Sequence, residues 1–132
     1  VLKVLSDRIA NCIRRGDMAA RFGGDEILVI LDGVHGLWDA VDIAEKIRIA
    51  AKMPMDLLVS QPRMSLCPDA DDSLAVTLSI GVVLIDDAVD VVHAGDVIAR
   101  ADIAMYRAKQ EGSDRVVSLI PRSEPASLAA AG

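Results

Sequence analysis

The sequence predicts an α/β fold, an α+β sandwich in which one sheet is covered by helices. Three observations carry that expectation. Helical and strand periodicities are mixed within 132 residues, in the order α-ββ-α-(β)-β-α-β. Two apolar runs flank Gly23-Gly24-Asp25-Glu26 closely enough to fold back on each other as a hairpin. The composition is 52% hydrophobic but only 2% aromatic, so Leu, Ile, Val, Ala and Met must fill the core.

Each element follows from its own pattern. Leu2, Leu5, Ile9 and Cys12/Ile13 recur at helical spacing, which predicts an amphipathic helix over residues 1–15, ended by Gly16. Residues 18–22 and 27–31 are the hairpin strands, and Asp32-Gly33 breaks the second. Trp38, Val41, Ala44, Ile47 and Ala51 mark a helix over residues 37–52, stopped by Pro54; Trp38 is expected to pack. A short strand is expected at residues 55–59, then a long Pro, Ser and Asp-rich loop over residues 60–74. Val76, Leu78, Ile80 and Val82 alternate with Thr77, Ser79 and Gly81, which is strand periodicity. Val97, Ala101, Ala104/Met105 and Ala108 give a third helix with Asp96 as N-cap and Gly112 at its end; Tyr106 is a second expected packing residue. Residues 115–119 form a last strand, and residues 120–132 read as a disordered Ala, Ser and Pro-rich tail.

Composition also excludes classes of function. The net charge is -6 and no basic patch with interleaved aromatics occurs, which argues against a nucleic-acid polymer as partner. Cys12 and Cys67 lack metal-ligand spacing and are expected as free thiols of a cytoplasmic protein. The longest apolar run, AVTLSIGVVLI, is too short to span a bilayer, so no membrane segment is expected. The chain starts with Val1, inside an amphipathic pattern, and reads as a piece of something longer.

The hairpin tip is where chemistry is expected. Gly23 and Gly24 leave no side chain to block a bulky ligand, and Asp25 and Glu26 offer hard oxygen atoms to a divalent cation. Taken alone, the four residues fit a surface hairpin with solvated acids better. Three blocks in order change the balance: GGDE at residues 23–26, VTLSIGV at residues 76–82 and RADIAMYRAKQEG at residues 100–112. Together, over residues 1–119, they closely resemble the GGDEF family of diguanylate cyclases.

The resemblance implies a sheet with flanking helices like that of nucleotidyl cyclases and the polymerase palm. It implies condensation of two GTP molecules into cyclic dimeric GMP with release of pyrophosphate, in a site completed by two facing subunits. On that pattern Gly23 and Gly24 let GTP approach the backbone, Asp25 binds Mg²⁺ or Mn²⁺, and Glu26 handles charge or protons near the attacking hydroxyl. Lys109 matches the phosphate-contacting lysine; without the resemblance it is an ordinary partner of a helix C-terminus. Arg14 and Asp17 form an RxxD pattern just before the hairpin, which in the family is the inhibitory site for the product. Lys46 falls near a second basic contact of some members, and Asp102 of the RAD block is expected to make structural hydrogen bonds.

Three departures accompany the match. Ile27 replaces the usual Phe and is expected to face the core, and Ser113 stands where an arginine is usual. The family's first strand and helix, with a second metal-binding aspartate, have no counterpart from Val1 onward. Two other readings therefore stay open: a non-catalytic module that binds GTP or cyclic dimeric GMP, and a fragment without activity of its own.

Overall fold

The structure is a computed structural model that describes residues 2–56, 73–74, 76–86 and 93–119. The elements run α1 (Leu2–Cys12), β1 (Met18–Arg21), β2 (Ile27–Ile30), α2 (Leu37–Lys52), β3 (Met55–Asp56), β4 (Ser73–Leu74), β5 (Ser79–Val82), α3 (Ala94–Gln110) and β6 (Arg115–Ser118).

The core grows from the helices. Leu5 and Ile9, one turn apart on α1, meet Ile47 and Ala51 on α2, and all four are buried. Ala40 and Ala44 extend the same stripe along α2. Ile27 and Val29 of β2, and Val76, Leu78 and Ile80 leading into β5, pack against this cluster. Ile27 is half-buried there, so the Phe-to-Ile departure is a matter of packing. On the other side Ala104 and Ala108 of α3 are fully buried, and α3 lies on β5 and β6.

Among the described residues the strands form three separate two-stranded ladders rather than the single sheet expected. β1 and β2 are antiparallel with Met18 opposite Ile30; β3 and β4 are antiparallel; β5 and β6 run parallel with Ser79 opposite Arg115. Periodicity reports which side of a strand faces the core, but not which edges meet, and the single sheet was inferred from periodicity. β2 and β5 share the helical cluster without sharing hydrogen bonds.

Other boundaries shift for local reasons. α1 ends at Cys12, before Gly16, because the chain turns over residues 13–17, where the Asp17 amide donates to the Arg14 carbonyl (3.0 Å). Residues 76–78 keep the alternation of exposure but have no ladder partner, so β5 starts at Ser79. Ser73 and Leu74, expected as loop, pair with β3. α3 begins two residues before Asp96, which sits in the first turn, where an acid favours the helix dipole; His93 is the extended N-cap. Trp38 (74% exposed) and Tyr106 (61%) are not core residues: each lies on the face of its helix opposite the alanine stripe. Residues 57–72, Cys67 among them, and residues 120–132 lie outside the described residues, as do the expectations that fell on them.

Arg8 joins α1 to α2. Its guanidinium donates to the carbonyls of Ala50 (3.1 Å), Ala51 (3.4 Å), Met53 and Pro54 (3.0 Å), the end of α2 where carbonyls lack helical partners. Arg8→Ala is expected to lower stability by about 2 kcal/mol. Arg8→Lys should restore only part of it, because an ammonium does not span carbonyls as a planar fork does. Urea unfolding of the three proteins measures this.

Candidate functional site at the hairpin tip and the α3 face

The hairpin closes through backbone bonds. Phe22 and Gly23 amides both donate to the Glu26 carbonyl (2.8 and 3.3 Å). Arg21, the last residue of β1, reaches over the tip: its Nε donates to the Gly23 carbonyl (3.2 Å) and its Nη2 to the Gly24 carbonyl (2.7 Å). Arg21 thus fixes the turn, a role that nothing in the strand pattern signalled. A Cβ on Gly23 would stand 3.4 Å from Glu26 Oε2, so the bare backbone leaves room for that carboxylate to fold back. A Cβ on Gly24 would meet nothing within 4 Å. Asp25 is exposed at the tip and Glu26 is half-buried.

Glu26 lines an open cleft of about 420 Å³ whose other wall is α3: Asp102, Ile103, Met105, Tyr106 and Lys109. Glu26 and Lys109, far apart in sequence, are thus brought to one cavity. Asp102, Tyr106 and Lys109 follow at i, i+4 and i+7, so they share one helix face. Asp102 lines the cleft and makes no hydrogen bond among the described residues, whereas structural hydrogen bonds were expected of it. Sequence reasoning also missed Ile103 and Tyr106 as cleft walls; their apolar character on the exposed side of an amphipathic helix was the available signal.

The donor set suits a hard cation that arrives with a phosphate ligand. Among the described residues no group of three or more His, Cys, Asp or Glu gathers to hold a metal. Asp25 and Glu26 offer adjacent carboxylates, and Mg²⁺ is commonly held by one or two carboxylates with substrate phosphates completing its shell.

Arg14 and Asp17 stand away from this cleft. Asp17 accepts from the Arg14 amide through Oδ2 and from the Asp32 amide through Oδ1, both at 2.8 Å. It therefore ties the end of the α1 turn to the end of β2. The Arg14 guanidinium is exposed and makes no bond among the described residues. The Asp32 amide, then the Arg14 amide, holds the Asp17 carboxyl below the usual aspartate range. Lys52, then Arg48, does the same for Asp114. A lowered folded-state pKa contributes stability above the unfolded value and loses it as pH falls through the folded value. Stability should therefore decline on acidification below about pH 4. Asp17→Asn should flatten part of that decline, which denaturant midpoints at stepped pH measure.

A glycine-acid hairpin set across a cleft from a lysine-bearing helix, on small sheets with flanking helices, defines a domain of the GGDEF class, and solved structures agree. The GGDEF domain of TpbB (YfiN) from Pseudomonas aeruginosa superposes with a TM-score of 0.67 at 27% identity, covering 86% of this chain and 59% of that one. An EAL/GGDEF domain protein from M. capsulatus gives 0.70 at 26% identity, covering 91% and 68%. The family model "Diguanylate cyclase, GGDEF domain" matches residues 1–115, so the chain belongs to the GGDEF family. Diguanylate cyclase A of Treponema denticola is 34% identical over 116 residues, 88% of this chain and 28% of that protein. The response regulator PleD of Caulobacter vibrioides is 34% identical over 117 residues, 89% of this chain and 23% of that protein. The chain thus spans under a third of the length of either relative. Among the described residues no helix is long and apolar enough to cross a membrane.

Proposed function

We propose that this domain is the catalytic domain of a diguanylate cyclase, joining two GTP molecules into cyclic dimeric GMP with release of pyrophosphate. The observation that carries the reading is that Glu26, next to the hairpin tip in sequence, and Lys109 line one cleft. Phosphoryl transfer needs positioning and charge neutralisation more than covalent chemistry, and the cleft offers both signs of charge. Asp25 would hold Mg²⁺ or Mn²⁺, which would neutralise phosphate oxygens, and Glu26 beside it would handle charge or protons near the attacking hydroxyl. Lys109 binds phosphate as a point charge at its helix end. Gly23 and Gly24 admit the nucleotide to the backbone. A single chain supplies one such half-site, and a homodimer places two GTP molecules face to face.

Arg14 and Asp17 form the inhibitory product site in this reading. The Arg14 fork is free to grip guanine or phosphate, whereas Asp17 is already committed to two backbone amides. Arg14 therefore dominates binding there. The test is incubation of the longer parent protein with GTP and Mg²⁺, followed by chromatography for cyclic dimeric GMP. Asp25→Ala should lower turnover by about two orders of magnitude. Arg14→Ala should keep turnover and relieve inhibition by added product. No product above the Asp25→Ala background overturns the cyclase reading. Retained binding of cyclic dimeric GMP, measured by calorimetry, would then point to the non-catalytic module that Ser113, in place of the usual arginine, also favours.

A further inference from the structure

The two walls of the cleft belong to parts of the fold that share no strand ladder. The hairpin carries Glu26, whereas Lys109 lies near the end of α3, which packs on β5 and β6. β1–β2 and β5–β6 are separate sheets, so the geometry between the walls is set through the helices. Polar clamps occur at three joints in series. Asp17 ties the α1 turn to the hairpin. Arg8 ties α1 to the end of α2. Asp114 ties α2 to the turn that follows α3: Arg48 Nη1 donates to its Oδ1 at 2.9 Å and Lys52 Nζ to its Oδ2 at 2.7 Å.

The last clamp has the most direct path to Lys109. Gly112 and Ser113 amides donate back to the Lys109 and Ala108 carbonyls (3.3 and 2.9 Å), so the turn is an extension of the helix end. Ser113 and Asp114 both take left-handed φ values, 63° and 50°, which non-glycine residues adopt only when their surroundings demand it. The demand is visible here: that conformation delivers the Asp114 carboxylate to α2. Arg48 is also held by Glu45 at 2.8 Å and is one-fifth exposed, so it is a fixed anchor rather than a loose surface arm.

We infer that Asp114 is a positioning residue for Lys109, setting the phosphate-binding end of α3 against the hairpin through its clamp on Arg48 and Lys52. The inference rests on the cyclase reading for what Lys109 binds, and on geometry alone for how Lys109 is held. Nothing in the clamp touches the cleft: among its lining residues only Lys109 is near the turn.

The test has two readouts. Calorimetry measures affinity for α,β-methylene GTP with Mg²⁺ in the unaltered protein, Asp114→Ala, Lys109→Ala and the double variant. Ile43→Ala, a core-facing change on α2 outside the clamp, is the control for lost stability. Asp114→Ala should weaken binding about tenfold, and the double variant should bind no more weakly than Lys109→Ala alone. Additive losses, or an equal loss in Ile43→Ala, overturn the inference. The second readout is amide hydrogen exchange in the same proteins. Asp114→Ala should speed exchange at Gly112 and Ser113 selectively, whereas unchanged protection there overturns the clamp. If the longer parent protein, measured the same way, also fails to bind the analogue, the cyclase reading falls; if only this chain fails, that reading stands, and in either case exchange decides whether Asp114 holds the end of α3.

Discussion

Gly81→Ala is expected to cost about 3 kcal/mol, and Gly81→Val more, enough to unfold a marginal domain. A Cβ at this position would lie 2.2 Å from the Ala101 carbonyl oxygen, 2.4 Å from the Met105 amide nitrogen and 3.0 Å from the Ala104 carbonyl carbon. All three are backbone atoms of α3, so no side chain can swing aside. The helix would have to lift from β5. Ala104 and Ala108, both fully buried, show how closely it sits. The requirement is for space, not for an unusual backbone angle: Gly81 is not among the glycines with positive φ. Guanidinium or urea unfolding of Gly81→Ala gives the result, and an unchanged midpoint would refute the close approach. Because α3 carries Lys109, any variant that folds should also show a displaced cleft wall.

The second large effect belongs to Ile47→Ala, expected to cost about 3 kcal/mol, with Ile47→Val near 1 kcal/mol. Ile47 is 6% exposed and sits in the one cluster that the hairpin and the β5 segment both pack against. The expected consequence is more specific than lost stability. With no ladder between the two sheets among the described residues, apolar packing on α1 and α2 carries much of the cooperation between them. In Ile47→Ala, amides of β1–β2 and of β5–β6 should exchange at separate rates, whereas the unaltered protein should protect them together. Joint protection in the variant would show that the sheets are coupled by some other route.

Much of the local structure was legible before any coordinates. α2 occupies the span that Trp38, Val41, Ala44, Ile47 and Ala51 predict, because a stripe at helical spacing has one stable way to be buried. The hairpin was readable from two apolar runs around two glycines. Trp38 and Tyr106 were misread because size and apolarity do not say which face of an amphipathic helix a residue occupies when the face is already filled by alanines. The polar clamps were invisible. Arg8, Arg21, Asp17 and Asp114 bond mostly to backbone carbonyls and amides or across long sequence gaps, and neither leaves a spacing in the sequence.

The sequence by itself determined the family, the order of helices and strands apart from β4, and the residues at the hairpin tip, because these depend on near neighbours along the chain. Only the tertiary structure decided that the strands stay in separate ladders and that Glu26 and Lys109 face one cleft. It alone also revealed a strained turn bound to α2 behind that lysine. Those outcomes depend on which distant surfaces touch, and contact between distant surfaces is set by packing the whole chain at once.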